Sequence, residues 1–148
     1  MESGLTVRAL EAADRQVWVG LYGALFPQSS YRACLAEIDR VLADPVSFAF
    51  VAERDDVAIG FAEMCLRPYA NGCASKPVAF LEGIYVIPKA RGRGVAARLL
   101  AHVEDFARSQ GHRELGSDVL QGNADGLAFH GAAGFEETER VIYFRKSL

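Results

Sequence analysis

The sequence predicts a single domain, residues 1–148, of the α/β (α+β) class around a central mixed sheet, and three observations predict it. Segments with helical apolar spacing alternate with short β-branched and aromatic runs along the chain. One such run, Val78 to Ile87, passes through a glycine-bearing basic turn into a long helical pattern: strand, turn, helix. The 148 residues, 51% hydrophobic and 24% charged, suffice for one ordinary core and lack the make-up of a disordered chain.

Taken in order, Leu5-Thr6-Val7-Arg8 reads as a short strand. A helix is predicted from Glu11 to Leu25, with Val17, Leu21 and Leu25 at fourfold spacing and Trp18 and Tyr22 beside them. Phe26-Pro27 stops it. A second helix, Ser30 to Leu42, turns Cys34, Leu35, Ile38, Val41 and Leu42 inward. Phe48 to Glu53 and Ala58 to Leu66 flank Arg54-Asp55-Asp56, the pattern of a hairpin. Residues 67–77 hold Pro68, Asn71, Gly72, Ser75 and Pro77 and form a loop long enough to carry function. Val78 to Ile87 is a buried strand closed by Pro88, and Val95, Leu99, Val103 and Phe106 mark the following helix, which stops at Gly111. A short strand follows over Glu114-Leu-Gly-Ser-Asp118-Val119, ending near Asp118. Asn123 caps a helix running to about Ala133, and Gly134 ends it. Phe135 to Lys146, with Val141, Ile142, Tyr143 and Phe144, reads as one long strand or two short ones. There is no internal repeat and no linker.

The turn Arg91-Gly92-Arg93-Gly94-Val95-Ala96 carries the first chemical signal. Backbone N–H groups and the positive end of a helix dipole converge there, which suits a phosphate or diphosphate, and glycines let the backbone approach it closely. A Walker P-loop needs Lys-Ser/Thr after its last glycine, whereas Val95-Ala96 stand here. A dinucleotide fingerprint has other glycine spacing. The remaining alternative is a solvated basic turn.

Composition limits the rest. No apolar run reaches the ~20 residues of a membrane span, and Met1-Glu2-Ser3-Gly4 lacks the basic start and apolar core of a signal peptide, so a cytoplasmic location is expected. Cys34, Cys65 and Cys73 show neither paired nor metal-ligand spacing, and no metal is expected. A net charge of −3 disfavours a nucleic-acid binder and mildly favours a cationic substrate.

The stretch Arg91-Gly92-Arg93-Gly94-Val95-Ala96 resembles the Q/R-x-x-G-x-G/A signature of the GCN5-related N-acetyltransferases (GNAT), whose turn holds the pyrophosphate of acetyl-coenzyme A. The preceding strand and the Gly134-Phe135 pair fall where that family has them. Within it, Tyr69-Ala-Asn-Gly-Cys73, Phe80-Leu-Glu-Gly-Ile84 and Gly134-Phe-Glu-Glu-Thr-Glu-Arg-Val-Ile142 resemble the aminoglycoside 6′-N-acetyltransferases of type I. The resemblance covers essentially the whole chain. It implies a mostly antiparallel twisted sheet with a V-shaped splay between two parallel strands, about four flanking helices, and the pantetheine arm of acetyl-coenzyme A lying in the V. Ile84, Tyr85 and Val86 would pair with pantetheine, and Asn123 and His130 would lie beside the cofactor. The family's general-acid tyrosine is replaced by His130, with Tyr143 as a substitute candidate. Relatives with this C-terminal strand often form homodimers, which an exposed pairing edge permits.

Acetyl transfer to an amine needs a neutral nitrogen, although a primary ammonium has a pKa well above neutrality. Glu82 interrupts an apolar strand, where an unpaired buried carboxylate is costly, and is the candidate base or amine-holding group; the other reading is a structural salt bridge. Asp118, at the end of the facing strand, matches an acid that holds the aminoglycoside amine, or else caps a helix. Phe26 and Tyr69 are candidate substrate contacts, Phe26 with a core role as its alternative. Among Glu136, Glu137 and Glu139, Glu139 matches a substrate-facing position, or the three form a solvated face. The expected function is acetyl-coenzyme A-dependent acetylation of the 6′-amine of aminoglycosides by direct attack. The competing readings are another acceptor (a polyamine, small metabolite or protein amine) and a non-catalytic acyl-coenzyme A-binding module.

Overall fold

A computed structural model describes residues 4–148. Five strands form one sheet in the order of the chain: β1 (Leu5–Ala9), β2 (Ser47–Arg54), β3 (Val57–Arg67), β4 (Val78–Val86) and β5 (Leu115–Ser117). The first four are antiparallel neighbours, and β5 joins β4 in parallel. Four helices flank it: α1 (Arg15–Leu25), α2 (Tyr31–Ala43), α3 (Val95–Ser109) and α4 (Ala124–Ala132). The mixed sheet and the helix number agree with the sequence reading.

Strand alternation divides the core between the two faces. Phe50, Ala52, Ala62, Met64, Ala79 and Leu81 meet Val95, Leu99, Leu100 and Val103 of α3. On the opposite face Ala49, Val51 and Phe61 meet Trp18, Leu21, Cys34, Ile38 and Val41 of α1 and α2. The β2–β3 hairpin turns at Asp55 and Asp56, with φ of 51° and 62°, as a two-residue turn with both central residues left-handed requires. Ser30 caps α2 by accepting the Ala33 N–H.

Three expectations about elements are corrected. The first helix starts at Arg15, after a short 3-10 turn at Ala12–Asp14, because Asp14 accepts the Glu11 N–H and an Arg8 ion pair and so fixes the chain before the helix. Its inward stripe centres on the fully buried Trp18, leaving Val17 51% exposed; on α2, Leu42 is likewise 37% exposed. The third concerns residues 135–148, which pair with no strand of the sheet. Their β-branched and aromatic residues favour a strand only where a partner strand supplies the ladder, and Ile142, Tyr143 and Phe144 are instead exposed.

Two irregularities shape the middle of the sheet. The pairing of β3 with β4 slips between Glu63 and Met64: Glu63 stands opposite Gly83 and Met64 opposite Leu81, so Glu82 is the extra residue of a β-bulge. On its other side β4 pairs with β5 only from Ala79 to Leu81, against Leu115 to Ser117. Beyond Leu81 the two parallel strands part, which is the V-shaped splay expected from the resemblance.

Candidate active site

The turn after β4 converges amides as its sequence predicts. Gly92 and Gly94 have φ of 74° and 77°, a left-handed geometry that a side chain would strain, and Gly94 stands at the start of α3. No side chain caps the helix, and its first ladder bond runs from the Arg98 N–H to the Gly94 C=O. The amides of Val95, Ala96 and Ala97 therefore have no helical acceptor and face outward with the dipole. Arg91 takes a different place from the one expected. Its Nε donates to the Val86 C=O at 2.8 Å and its guanidinium lies 5.5 Å from the Tyr85 ring centroid, so it fastens the turn to the end of β4. Arg93 is exposed. The turn closes the wide end of the splay, beside Ile84, Tyr85 and Val86.

At the narrow end stands Glu82. The bulge directs it to the α1/α2 side of the sheet, where Arg67 donates to its two oxygens from Nε and Nη2, both at 2.8 Å, and the Cys65 thiol donates at 2.8 Å. The Arg67 guanidinium also stacks 3.5 Å from the Phe80 ring centroid. Burial works against ionisation of Glu82, but the bonds from Arg67 and Cys65 outweigh it and hold the carboxyl below its ordinary range. The Cys65 thiol, pushed up to about 12 by burial and then by Glu82, stays protonated. Glu82 is thus a fixed anion, and the salt bridge that was its alternative reading is present.

In front of Glu82 opens a cavity of about 240 Å³. Tyr22, Leu25 and Phe26 wall it from α1 and its end, Glu37 and Arg40 from α2, and Glu63, Cys65 and Gly83 from the sheet. Phe26, 36% exposed and stacked 4.7 Å from Tyr22, is where the sequence placed a substrate contact. Arg40 is engaged with Glu37 and Asp44, and Arg67 with Glu82, so acidic groups outnumber basic ones around the opening.

The remaining candidates fall into two groups. Asp118 follows β5 directly at the mouth of the splay, exposed and engaged in no ion pair among the described residues; it caps no helix. The cap of α4 is Asn123, whose Oδ1 accepts the Gly126 N–H at 2.9 Å. His130 sits where the splay begins, with Nδ1 2.7 Å from the Gly126 C=O and Nε2 2.7 Å from the Ser117 hydroxyl. A carbonyl accepts only, so Nδ1 carries a hydrogen, and both ring nitrogens are engaged, one with α4 and the other with β5, whose Ser117 hydroxyl also reaches the Leu81 C=O at 3.4 Å. Tyr69, 61% exposed and bonded to Asn71, lies outside the cavity, as do Glu139, which packs beside Gly72, and Tyr143, 82% exposed. The sequence reading passed over Arg67, Cys65, Tyr22, Glu37 and Glu63. Glu63 alone had a visible signal, being a carboxylate in an apolar strand just as Glu82 is.

The chain matches the model of the acetyltransferase (GNAT) family over residues 11–135. It is 49% identical to an aminoglycoside N(6′)-acetyltransferase type 1 of Serratia marcescens over 133 residues, covering 88% of this chain and 91% of that one. A protein of the same description from Stenotrophomonas maltophilia is 44% identical, with 99% and 95% covered. Among solved structures, that of AAC(6′)-Iy in complex with the bisubstrate analog CoA-S-monomethyl-acetylneamine superposes with a TM-score of 0.93 at 42% identity, covering 99% of this chain and 100% of that one. The chain therefore belongs to the GNAT acetyltransferases and, within them, to the aminoglycoside N(6′)-acetyltransferases of type 1.

Proposed function

We propose that this protein transfers the acetyl group of acetyl-coenzyme A to the 6′-amine of aminoglycosides by direct attack, inactivating the antibiotic. The observation that carries the reading is a fixed anion, Glu82, at the start of a splay whose far end is an amide-lined turn, with an acidic cavity in front. Acetyl-coenzyme A is the co-substrate, and the residues fit it: a Cβ at Gly92 would meet nothing within 4 Å, leaving room for a diphosphate against the backbone. The edge of β4 beyond Leu81, where β5 no longer pairs, offers the backbone groups of Ile84 and the Val86 N–H to the amides of pantetheine, the Val86 C=O being taken by Arg91. When bound, it supplies an acetyl thioester and departs as a thiol.

The chain's own residues do the rest. Glu82, kept ionised by Arg67, draws the ammonium in and orients it, and Phe26 covers its sugar ring; Asp118, Glu139 and Tyr69, outside the cavity, meet the rings and amines of the polycation that extend beyond it. His130, bonded through both nitrogens, keeps β5 and α4 in register beside the thioester, so the thiolate leaves without an acid from it. Two copies of the chain associate through their C-terminal segments, and the enzyme works in the cytoplasm, where acetyl-coenzyme A is supplied.

Thiol release in the presence of tobramycin or kanamycin tests the reading. The expected result is acetyl-coenzyme A-dependent turnover with the product acetylated at the 6′-nitrogen. Turnover with spermidine or a protein amine and none with the drugs overturns the acceptor; binding without turnover across the amines overturns the enzyme.

A further inference from the structure

We propose that Glu63 is the group that accepts the proton of the acceptor ammonium, Glu82 serving to hold that ammonium in place. This deepens the function proposed above and rests on it. Glu63 is 6% exposed, lines the acceptor cavity, and makes no ion pair or side-chain hydrogen bond among the described residues. Its carboxylate oxygens are not among the buried polar atoms shut off from solvent, so the group opens onto the cavity from an otherwise apolar strand and is placed to exchange a proton with what binds there. The bulge explains its position. Glu63 stands opposite Gly83, over which the Leu25 side chain packs, and the slipped register brings Glu82 onto the same face of the neighbouring strand.

The groups facing Glu63 come from every element around the cavity: Glu37 and Arg40 from α2, Tyr22 from α1, Glu82 from β4 and Cys65 from its own strand. Arg40 is engaged with Glu37 at 2.6 Å and with Asp44, and Arg67 is taken by Glu82. Burial first, then the negative charges of Glu37 and Glu82, push the Glu63 carboxyl up to about 7. Glu82, held low by Arg67, is the better anion and the poorer base; a proton acceptor works best with an affinity matched to the working pH.

The ammonium, ion-paired to Glu82, gives one proton to the Glu63 carboxylate and becomes a free amine. Its nitrogen lone pair forms the C–N bond to the acetyl carbon while the C–S bond breaks and its electron pair leaves on sulfur as thiolate. The nitrogen, now positive, loses its second proton to the thiolate. The products are the neutral amide and coenzyme A thiol, and Glu63 returns its proton to solvent. Because Glu63 acts ionised, activity rises as pH passes upward through about 7 and then levels.

The test is the pH profile of kcat/KM for tobramycin in the wild type, Glu63→Gln and Glu63→Asp, with acetyl-coenzyme A affinity measured by calorimetry. In Glu63→Gln we expect kcat to fall about 10²-fold or more, with cofactor affinity unchanged. Its profile should climb about tenfold per pH unit to the amine's own pKa, instead of levelling above neutrality. Glu63→Asp should recover part of the rate and the plateau. In the wild type, carbon-13 carboxyl titration should show one glutamate titrating near neutrality. Glu63→Gln with wild-type turnover and plateau overturns the proposal, as does a wild type in which every glutamate titrates in the ordinary range. A wild type inactive on tobramycin overturns the function itself, a different outcome.

Discussion

Among single residues, Arg67 has the largest consequence for Glu82. Its guanidinium supplies the two bonds that hold the carboxyl low against burial, so removing it leaves burial unopposed and raises the carboxyl. The sign follows. A depressed carboxyl is ionised, and stabilises the fold, above its unfolded pKa; that contribution is lost as pH falls through the folded value. In Arg67→Met the ionised population of Glu82 begins to fall at a higher pH. The tobramycin KM should therefore rise more at pH 6 than at pH 8, and equal changes at both would exclude this coupling. Glu82→Gln should lower turnover about 10²-fold or more while calorimetry finds acetyl-coenzyme A affinity unchanged; unchanged turnover removes Glu82 from the mechanism. Glu82 was legible because a carboxylate in an apolar strand demands a reason. Arg67 was not, since its partner lies 15 residues away across a register that the bulge alters.

At the scale of elements, the turn before α3 was legible because its geometry is local: glycines at two left-handed positions followed by a helical pattern. The splay was legible only through the resemblance, because it depends on where β5 stops pairing with β4, which no local pattern encodes. A Cβ at Gly94 costs about 1–2 kcal/mol in the left-handed region. If Gly94→Ala relieves that strain by turning its amide away, acetyl-coenzyme A affinity falls about tenfold, a decade costing 1.4 kcal/mol. Calorimetry on Gly94→Ala, with Gly20→Ala as control, checks this. Gly20 lies inside α1 with nothing within 4 Å of its Cβ, so alanine there should leave binding intact and stabilise the helix. Equal affinity in Gly94→Ala would move the diphosphate away from these amides. Gly60 makes a different demand. A Cβ there would lie 2.6 Å from the Tyr85 C=O, so the close approach of β3 fixes the end of β4 beside which pantetheine is proposed to lie.

For the molecule as a whole, the sheet ends at β5, three residues long, and the chain after Gly134 finds no strand within its own sheet. Ile142, Tyr143 and Phe144 are 79%, 82% and 91% exposed, a continuous run of exposed apolar side chains, whereas the other large exposed ones, such as Val17, Val57 and Leu120, are scattered singly. The sequence pattern of a strand is present while the ladder that would satisfy it is absent. In the proposed dimer a second copy would supply both an apolar surface and unpaired backbone groups, which accounts for the third of the elements on which sequence and fold disagree. Substituting Ile142→Glu together with Phe144→Glu places charge where this contact would form and touches no residue of either cluster. Sedimentation should then show a dimer for the wild type and a monomer for the double variant, both with the same far-ultraviolet circular dichroism and the same acetyl-coenzyme A affinity. If both sediment as monomers, the C-terminal segment has some other partner; if both remain dimers, the contact lies elsewhere on the surface.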